Sequence, residues 1–243
     1  AMETFPAATL VRFFRNHGFL GVTTQFRWRT VDGGSREYVN LLSAPLAGRI
    51  HLDSPVSRIR RDAHGVELVF ADGGSQRFDG VVIAAHADEA LGMLEEPTTE
   101  ERRLLGPWRY SRNETLLHSD ASFLPRREAA RASWNYRLED CARPWTSATL
   151  NYWINRLQGL TTETEWIVSL NPRREPAEGS VARRLVYTHP VYTRESVATQ
   201  AELPSLNGRA RTWFAGAYFG YGFHEDGLSA GIAAAASLGA GFA

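Results

Sequence analysis

Residues 212–238, TWFAGAYFGYGFHEDGLSAGIAAAASL, constrain the fold more than any other stretch of this sequence. Residues 212–215 form a short apolar run, which predicts a buried strand. Gly216, Gly220 and Gly222 follow this run. Glycines in such a position indicate a tight bend, or a close approach of the backbone to another group.

A helix is predicted after this turn. Asp226 is a favourable N-cap residue. Residues 227–238 are nearly all small, and Leu228, Ile232 and Ala235 fall on one face. The helix N-terminus would direct about half a positive charge and free N–H groups into the turn, which favours an anionic or electron-rich ligand. A tightly packed strand–turn–helix corner without a ligand explains the same pattern, and both interpretations stay open.

The composition excludes several classes of function. The 243 residues have a formal net charge of zero, which gives no reason to expect nucleic acid or an anionic membrane as a partner. All 27 basic residues are arginine, so a lysine Schiff base and a lysine phosphate clamp are excluded. The single Cys141 rules out an internal disulfide and a cysteine zinc cluster, and it fits a cytoplasmic protein. No apolar run approaches the roughly 20 residues of a membrane span.

The remaining sequence predicts a mixed fold, α+β and α/β, in two interleaved parts. One part, 31–86 and 209–243, contains a β-meander and the apolar run 81–85, which is typical of a parallel strand buried on both faces. The other part, 1–30 and 87–208, has recurring strand-like segments rich in tryptophan and tyrosine. These segments predict an antiparallel, aromatic-rich sheet with flanking helices.

Apolar periodicity and turn residues assign the other individual elements. The predicted helices are 6–16, with Thr4 as an alternative start, 36–46, 88–94, 99–105 and 195–200. The predicted strands are 26–31, 49–52, 55–61, 66–70, 76–78, 112–118, 132–136, 149–156, 166–170 and 183–187.

Several segments resemble the flavin-containing amine oxidase superfamily, most closely its bacterial predicted NAD/FAD-binding group. WRTVDGGSREYVNLL resembles the Gly-Gly segment that opens the second half of the FAD domain, and SPVSRIRRDAHGVELVFADG with FDGVVIAAHADEAL resembles the meander and its following strand. LLHSDASFLPRREAARASWNY and WFAGAYFGYGFHEDGLSAGIAAAASLG resemble segments specific to the group. The resemblance covers nearly the whole chain. The spacing from Gly222 to Gly231 matches the helix motif that contacts the flavin in this family.

The resemblance implies the remnant of an FAD-binding, Rossmann-like domain together with a substrate domain. The family opens with a Rossmann unit that carries G-x-G-x-x-G. This motif is absent from the sequence, and Gly220-Tyr221-Gly222 has Glu225 where the third glycine belongs. We therefore expect the chain to begin inside a longer protein, with the N-terminal Rossmann segment as a missing partner.

The resemblance also implies FAD contacts at particular residues. The backbone of Val56 would lie near the adenine, and Gly216 near the ribityl chain or the pyrophosphate. Gly33 and Gly34 would let the backbone pass close to the isoalloxazine. The alternatives are an ordinary strand residue at Val56 and a turn that leads into a helix at the two glycines.

The turn before the last helix would contact the flavin itself. The resemblance aligns Gly222, His224, Glu225 and Asp226 with the turn whose N–H groups face the flavin N1–C2=O edge. Reduced flavin is anionic at this edge, and a helix N-terminus stabilises such a charge. Capping of the helix by Asp226 is an alternative that is compatible with this role.

Aromatic residues are the candidates for a substrate pocket. Tyr218, Tyr221, Trp134 and Tyr152 could line it, although the two residues of the sheet, Trp134 and Tyr152, also suit a core position. A metal site is not expected, because the run 224–226 has no metal-binding spacing, even with His118 and Asp120 added. A serine hydrolase is not expected either, because the sequence has no G-x-S-x-G elbow.

Two functions of different class follow. The resemblance implies that the longer parent protein is an FAD-dependent oxidoreductase that takes a hydride from a C–N or C–C bond of an apolar or lipid-like substrate. This partial chain is expected to be inactive alone, and FAD is expected for the full-length parent. No residue is assigned as a catalytic acid or base. The alternative is a non-catalytic fragment or interaction module that does not bind FAD alone and that self-associates, for instance as a homodimer, through unpaired strand edges.

Overall fold

The computed structural model describes residues 5–21, 29–138 and 149–239. Cys141 and residues 26–28 of a predicted strand lie outside these ranges. The chain divides into two compact units. The α/β unit comprises the described residues of 5–109 and 190–239, and the antiparallel unit comprises the described residues of 110–189.

The elements of both units are numbered in chain order. The helices are α1 Ala7–Asn16, α2 Arg36–Ser43, α3 Ala87–Met93, α4 Thr99–Leu105, α5 Ile154–Gln158, α6 Arg194–Thr199 and α7 His224–Ser237. The strands are β1 Val56–Asp62, β2 Gly65–Phe70, β3 Ser75–Phe78, β4 Val81–Ile83, β5 Arg109–His118, β6 Trp134–Arg137, β7 Thr149–Trp153, β8 Ile167–Leu170, β9 Val181–Val191 and β10 Thr212–Phe214.

Strands β1, β2 and β3 form the predicted antiparallel meander. The turn between β1 and β2 is held by Asp62, whose Oδ1 accepts hydrogen bonds from the backbone N–H groups of His64 (2.7 Å) and Gly65 (3.0 Å). A Cβ at Gly65 would lie 2.6 Å from the carbonyl oxygen of Phe78, so the close approach of β3 requires glycine.

Strands β4 and β10 pair in parallel, with Phe214 opposite Ile83. The prediction of a parallel strand in the run 81–85 is therefore confirmed for its first three residues. The prediction that both faces are buried is wrong. Ile83 is 4% exposed but Val82 is 42% exposed, because the described sheet contains two strands and one face of Val82 has no covering layer.

Helix α7 begins three residues earlier than the sequence predicts. Phe223 occupies the N-cap position, and Asp226 lies in the first turn, where its Oδ2 accepts a hydrogen bond from the N–H of Phe223 (2.9 Å). The buried face of α7 is formed by Ala230 and Ala234. Leu228 was predicted on the apolar face but is 55% exposed, because the small alanines allow the closer approach to β10.

An ion pair buried inside the α/β unit joins three elements. Arg61 on β1 contacts Glu101 on α4 at 2.5 Å, and the two side chains are 7% and 3% exposed. Arg61 also donates to the carbonyl oxygen of Glu96 and to Thr212 Oγ1 on β10. Burial alone would raise the pKa of Glu101, but hydrogen bonds from Arg61 and Thr98 outweigh it and hold this pKa below its ordinary value.

The antiparallel unit contains the predicted antiparallel sheet, with strand order β6-β7-β8-β5-β9. Trp134 on β6 lies directly opposite Tyr152 on β7. A small core cluster of Phe123, Leu124 and Ile167 packs against Trp153. The prediction of a strand up to residue 156 is wrong at its end, because the chain turns into α5 after Trp153.

Two further strand predictions differ from the structure. Residues 49–52 form turn and irregular structure, since Gly48 (φ +78°) and Asp53 (φ +53°) reverse the chain on both sides. Residues 29–31, the described part of the predicted strand 26–31, are not in a strand. Among the described helices, none is long and apolar enough to cross a membrane.

Candidate functional site

The candidate site lies where β4 and β10 end. Because the two strands are parallel, their carboxyl ends meet at the same edge, which is where open α/β sheets bind ligands. Residues 215–223 follow β10 at this edge and lead into α7. A glycine-rich turn and a helix N-terminus thus lie together, as the sequence predicts.

Gly222 has a backbone conformation that other residues rarely adopt. Its φ is +87°, and an added Cβ would lie 2.9 Å from the Tyr192 hydroxyl oxygen. That hydroxyl donates a hydrogen bond to the carbonyl oxygen of Gly220 (3.2 Å), which also accepts one from Gln200 Nε2 (2.5 Å). Conformational strain and limited space therefore both select glycine at this position.

The first turn of α7 offers two donors. The side chain of Asp226 is occupied by the N–H of Phe223, and the N–H groups of Asp226 and Gly227 bond to the carbonyl oxygen of Phe223. Within the described residues, no acceptor is bonded to the backbone N–H groups of His224 and Glu225. These two amides, together with the helix dipole, suit an electron-rich group of a ligand.

Gly216 and Tyr218 form the inner side of the turn. The backbone of Gly216 is extended, and an added Cβ would lie 2.6 Å from the Tyr218 ring, so the close packing of this ring requires glycine. Tyr218 is 2% exposed, and its ring centroid lies 5.7 Å from that of Trp108. Tyr218 therefore packs in the core beside the turn, whereas the sequence places it among substrate-pocket candidates.

A small apolar pocket of about 270 Å³ lies beside the same turn. Its lining is Phe5, Thr9, Leu10, Phe13, Tyr192, Tyr221 and Phe223. The rings of Phe13 and Phe223 stack with centroids 5.8 Å apart. Tyr221, a candidate from the sequence, thus lines this pocket. Tyr192 and Phe223 were not identified from the sequence. The sequence does not indicate which residues an aromatic side chain in a loop contacts.

The other FAD-contact candidates of the α/β unit lie in two further loops. Gly33 and Gly34 both have positive φ, +81° and +86°. A Cβ on Gly34 would meet no atom within 4 Å, so the backbone is open to approach there. Val56 begins β1 opposite Phe70, next to a cleft of about 820 Å³ that Pro55 and Phe70 help to line. The roles of these three candidates in binding FAD stay predictions.

Trp134 and Tyr152 form a pair in the antiparallel unit. Their rings are perpendicular, with centroids 6.1 Å apart, and Trp134 is 48% exposed. Burial raises the pKa of Tyr152. This arrangement is a cross-strand aromatic pair of the kind that stabilises antiparallel sheets.

A buried polar chain runs through the same sheet. The N–H of Asp120 donates to His118 Nδ1 (3.2 Å), which assigns the proton of the neutral ring to Nε2, facing Ser169 Oγ at 2.8 Å. Ser169 in turn donates to Asn151 Oδ1 (2.5 Å). Burial lowers the pKa of His118. Because the serine proton is directed away from the histidine, this serine is not activated as a nucleophile.

Groups of acidic and histidine side chains were also considered as metal ligands. In the ranges that the structure describes, no three His, Cys, Asp or Glu side chains are placed to hold a metal ion. His118 and Asp120 belong to the buried polar chain of the antiparallel unit.

The fold defines a class of protein. A parallel strand pair with a glycine turn and helix, a β-meander and an antiparallel sheet together form the mixed α/β fold of FAD-dependent oxidoreductases. The family model of flavin containing amine oxidoreductases matches residues 4–114. The resemblance to the family is thereby confirmed for residues 4–114, and the chain is related to the flavin-containing amine oxidoreductases through these residues.

Solved structures with this fold are distant in sequence. A CLA-producing fatty acid isomerase from P. acnes is 14% identical, with a TM-score of 0.54 over 81% of this chain and 50% of its own. A protein from Exiguobacterium sp. 255-15, provisionally assigned as a protoporphyrinogen oxidase, is 13% identical, with a TM-score of 0.56 over 96% of this chain and 57% of its own.

A redesigned putrescine oxidase is similar to the same degree. It is 11% identical, with a TM-score of 0.55 over 85% of this chain and 53% of its own. The chain thus spans about half the length of these relatives. At such identities the likeness shows the fold alone. A comparison with curated protein sequences gave no significant match.

Proposed function

We propose that this chain is part of an FAD-dependent oxidoreductase and that the turn before α7 holds the flavin. The observation that carries the proposal is the glycine turn at the carboxyl ends of β4 and β10, with the N–H groups of His224 and Glu225 without an acceptor among the described residues. These donors would bond the electron-rich N1–C2=O edge of the flavin. Gly222, with its positive φ of +87°, would hold the turn in the conformation that presents these donors.

The chemistry would come from the cofactor. When bound, FAD would accept a hydride from a C–H bond next to the C–N or C–C bond that is oxidised to a double bond. The residues of this chain would bind and orient the ring, and the N-terminus of α7 would stabilise negative charge on it. The N-terminal Rossmann segment that the family resemblance implies is the proposed partner that would bind the dinucleotide phosphates.

The pocket beside the turn favours an apolar substrate. Phe5, Leu10, Phe13 and Phe223 are among its lining residues, and within the described residues no carboxylate or arginine lines it. Such a lining binds a hydrocarbon better than a small charged amine. Of the structural relatives, the fatty acid isomerase acts on a lipid. We propose a lipid-like substrate, a substrate domain at 1–30 and 87–208, and a cytoplasmic location.

The proposal is tested by titrating FAD with the chain and following the quenching of flavin fluorescence. Replacing Gly222 by alanine introduces a Cβ at positive φ against the Tyr192 hydroxyl, so we expect the dissociation constant for FAD to rise at least about tenfold. Gly92→Ala in α3 is the matched control, because an added Cβ there meets no atom within 4 Å.

Three results would count against the flavin site. The wild-type chain could leave FAD fluorescence unchanged. Both variants could bind FAD as tightly as the wild type. Gly92→Ala could also weaken the binding of FAD as much as Gly222→Ala does. Circular dichroism of both variants separates a local effect at the turn from a loss of the fold.

A second candidate function, an interaction module without flavin, is favoured by the exposed apolar residues on and after α2. Leu41, Leu42 and Leu52 are 75%, 70% and 80% exposed. Adjacent leucines with this much exposed apolar surface, such as Leu41 and Leu42, are typical of a protein contact. We propose that this surface associates with a second copy of the chain.

Light scattering tests self-association. We expect a homodimer for the wild type and a shift towards monomer when Leu41 and Leu42 are both replaced by glutamate. A chain that is monomeric at all concentrations and binds no ligand would contradict the interaction module.

A further inference from the structure

The antiparallel unit contains a large cleft that the proposed flavin site does not use. The cleft has a volume of about 820 Å³ and lies beside the start of β6, at the loop that precedes it. Four arginines line it, Arg126, Arg131, Arg137 and Arg174. No aspartate or glutamate is among its lining residues in the described part of the chain.

Among the described residues, three of these arginines have no carboxylate partner. Arg174 lies 3.5 Å from the carboxylate of Asp120. For Arg126, Arg131 and Arg137, the described residues provide no carboxylate within ion-pair distance. Like charges gathered around one cleft repel each other, and an anion that enters the cleft relieves this repulsion.

Two of the guanidinium groups are held in place by the wall of the cleft. Arg131 Nε donates to the carbonyl oxygen of Pro125 (3.0 Å). Arg174 donates to Ser122 Oγ (2.6 Å), and its Cζ lies 3.9 Å from the centre of the Phe123 ring. Side chains that are already positioned lose less conformational entropy when they bind a ligand.

Part of the wall between the arginines is apolar. Pro125 and Leu138 are half-buried and line the cleft, backed by the buried side chains of Phe123 and Leu124. A free inorganic anion would leave this surface in contact with water. A ligand with a hydrocarbon body covers it and gains about 25 cal/mol for each Å² of apolar surface removed from water.

We propose that this cleft binds a small amphiphile with an anionic head group, a carboxylate or a phosphate on a short hydrocarbon chain. The head group contacts the three guanidinium groups that have no carboxylate partner among the described residues, and the hydrocarbon lies against Pro125 and Leu138. Binding does not require FAD, so a failure of this inference leaves the flavin proposal intact, and the reverse also holds.

The test is isothermal titration calorimetry of the full chain at neutral pH with octanoate, octyl phosphate, octanol and inorganic phosphate. We expect octanoate or octyl phosphate to bind, and octanol and inorganic phosphate each to bind at least about tenfold more weakly, because each lacks one of the two contacts. The comparison of octanoate with octyl phosphate identifies the preferred head group.

Variants locate the binding. Arg126→Gln together with Arg137→Gln removes two charges, so we expect the dissociation constant of the better ligand to rise about tenfold or more. Arg112→Gln is the control, since it removes an exposed charge of the same unit that does not line the cleft. The two single variants, each expected to give an intermediate loss, keep the test valid if the double variant does not fold.

Several outcomes would overturn the inference. These are the absence of binding by both amphiphilic anions, equal binding of octanol, or equal effects of Arg112→Gln and the double variant. Unchanged affinity in the presence of high salt would also contradict it, because contacts between exposed charges weaken as ionic strength rises.

Discussion

Glu101 illustrates how strongly one buried residue contributes to this fold. Its carboxylate is 3% exposed and bonds both Arg61 and the N–H of Thr98. Replacing Glu101 by glutamine leaves the Arg61 charge buried without its partner, and we expect the free energy of unfolding to fall by about 3 kcal/mol. Urea unfolding measures this change.

The matched control is Glu100, whose ion pair with Arg103 is exposed. We expect Glu100→Gln to change stability by less than about 1 kcal/mol. A loss as large as that of Glu101→Gln would contradict the role assigned to the buried pair.

The contribution of Glu101 also predicts a pH dependence. The pKa of this carboxyl in the folded protein lies below its ordinary value of 4.5. Its stabilising effect is therefore present above about pH 4.5 and is lost as the pH falls through the folded pKa. The stability difference between wild type and Glu101→Gln should shrink over that range. If the stability difference between the two proteins stays constant as the pH falls to the folded pKa of Glu101, the predicted pH dependence is contradicted.

At the scale of the element, α7 contains a second test. Asp226 bonds the N–H of Phe223, so Asp226→Ala should lower the free energy of unfolding by about 1 kcal/mol. If the residue contributes to the flavin site through its backbone, FAD affinity should change little. Glu225→Ala serves as the control, because the Glu225 side chain is exposed. Equal stability of the two variants would refute the capping role.

The order of strand, turn and helix around α7 could be predicted from the sequence because each depends on local patterns. The face of α7 that packs against the sheet could not be predicted in this way. Leu228 is more hydrophobic than Ala230, yet Ala230 is buried, because the distance between helix and strand decides which side chain fits. Asp226 was predicted as the N-cap but lies in the first turn of the helix. An aspartate is favourable at both positions, so the sequence does not distinguish them.

The strand predictions show the same limit. Val82 was expected to be buried on both faces, but the number of layers on a sheet depends on distant parts of the chain. The segment 49–52 has the apolar pattern of a strand, but it has no pairing partner among the described residues.

At the scale of the whole molecule, the mixed α/β class and the antiparallel sheet could be predicted, because recurring local patterns carry them. The sites depend on pairs of residues that are far apart in the sequence. Tyr192 reaches the turn at Gly222, and Arg174 joins Arg131 at the cleft, across sequence separations that no local pattern encodes. The Gly222 turn was nonetheless found, because its conformation requires glycine residues that are visible in the sequence.

The central claim is that the chain holds a flavin at the turn before α7. The most direct measurement is the visible absorption spectrum of the chain after incubation with FAD and gel filtration. We predict that the protein peak carries the flavin absorption bands, with a spectrum shifted from that of free FAD. A colourless protein peak, with all FAD eluting as free ligand, would contradict the claim and favour the interaction module.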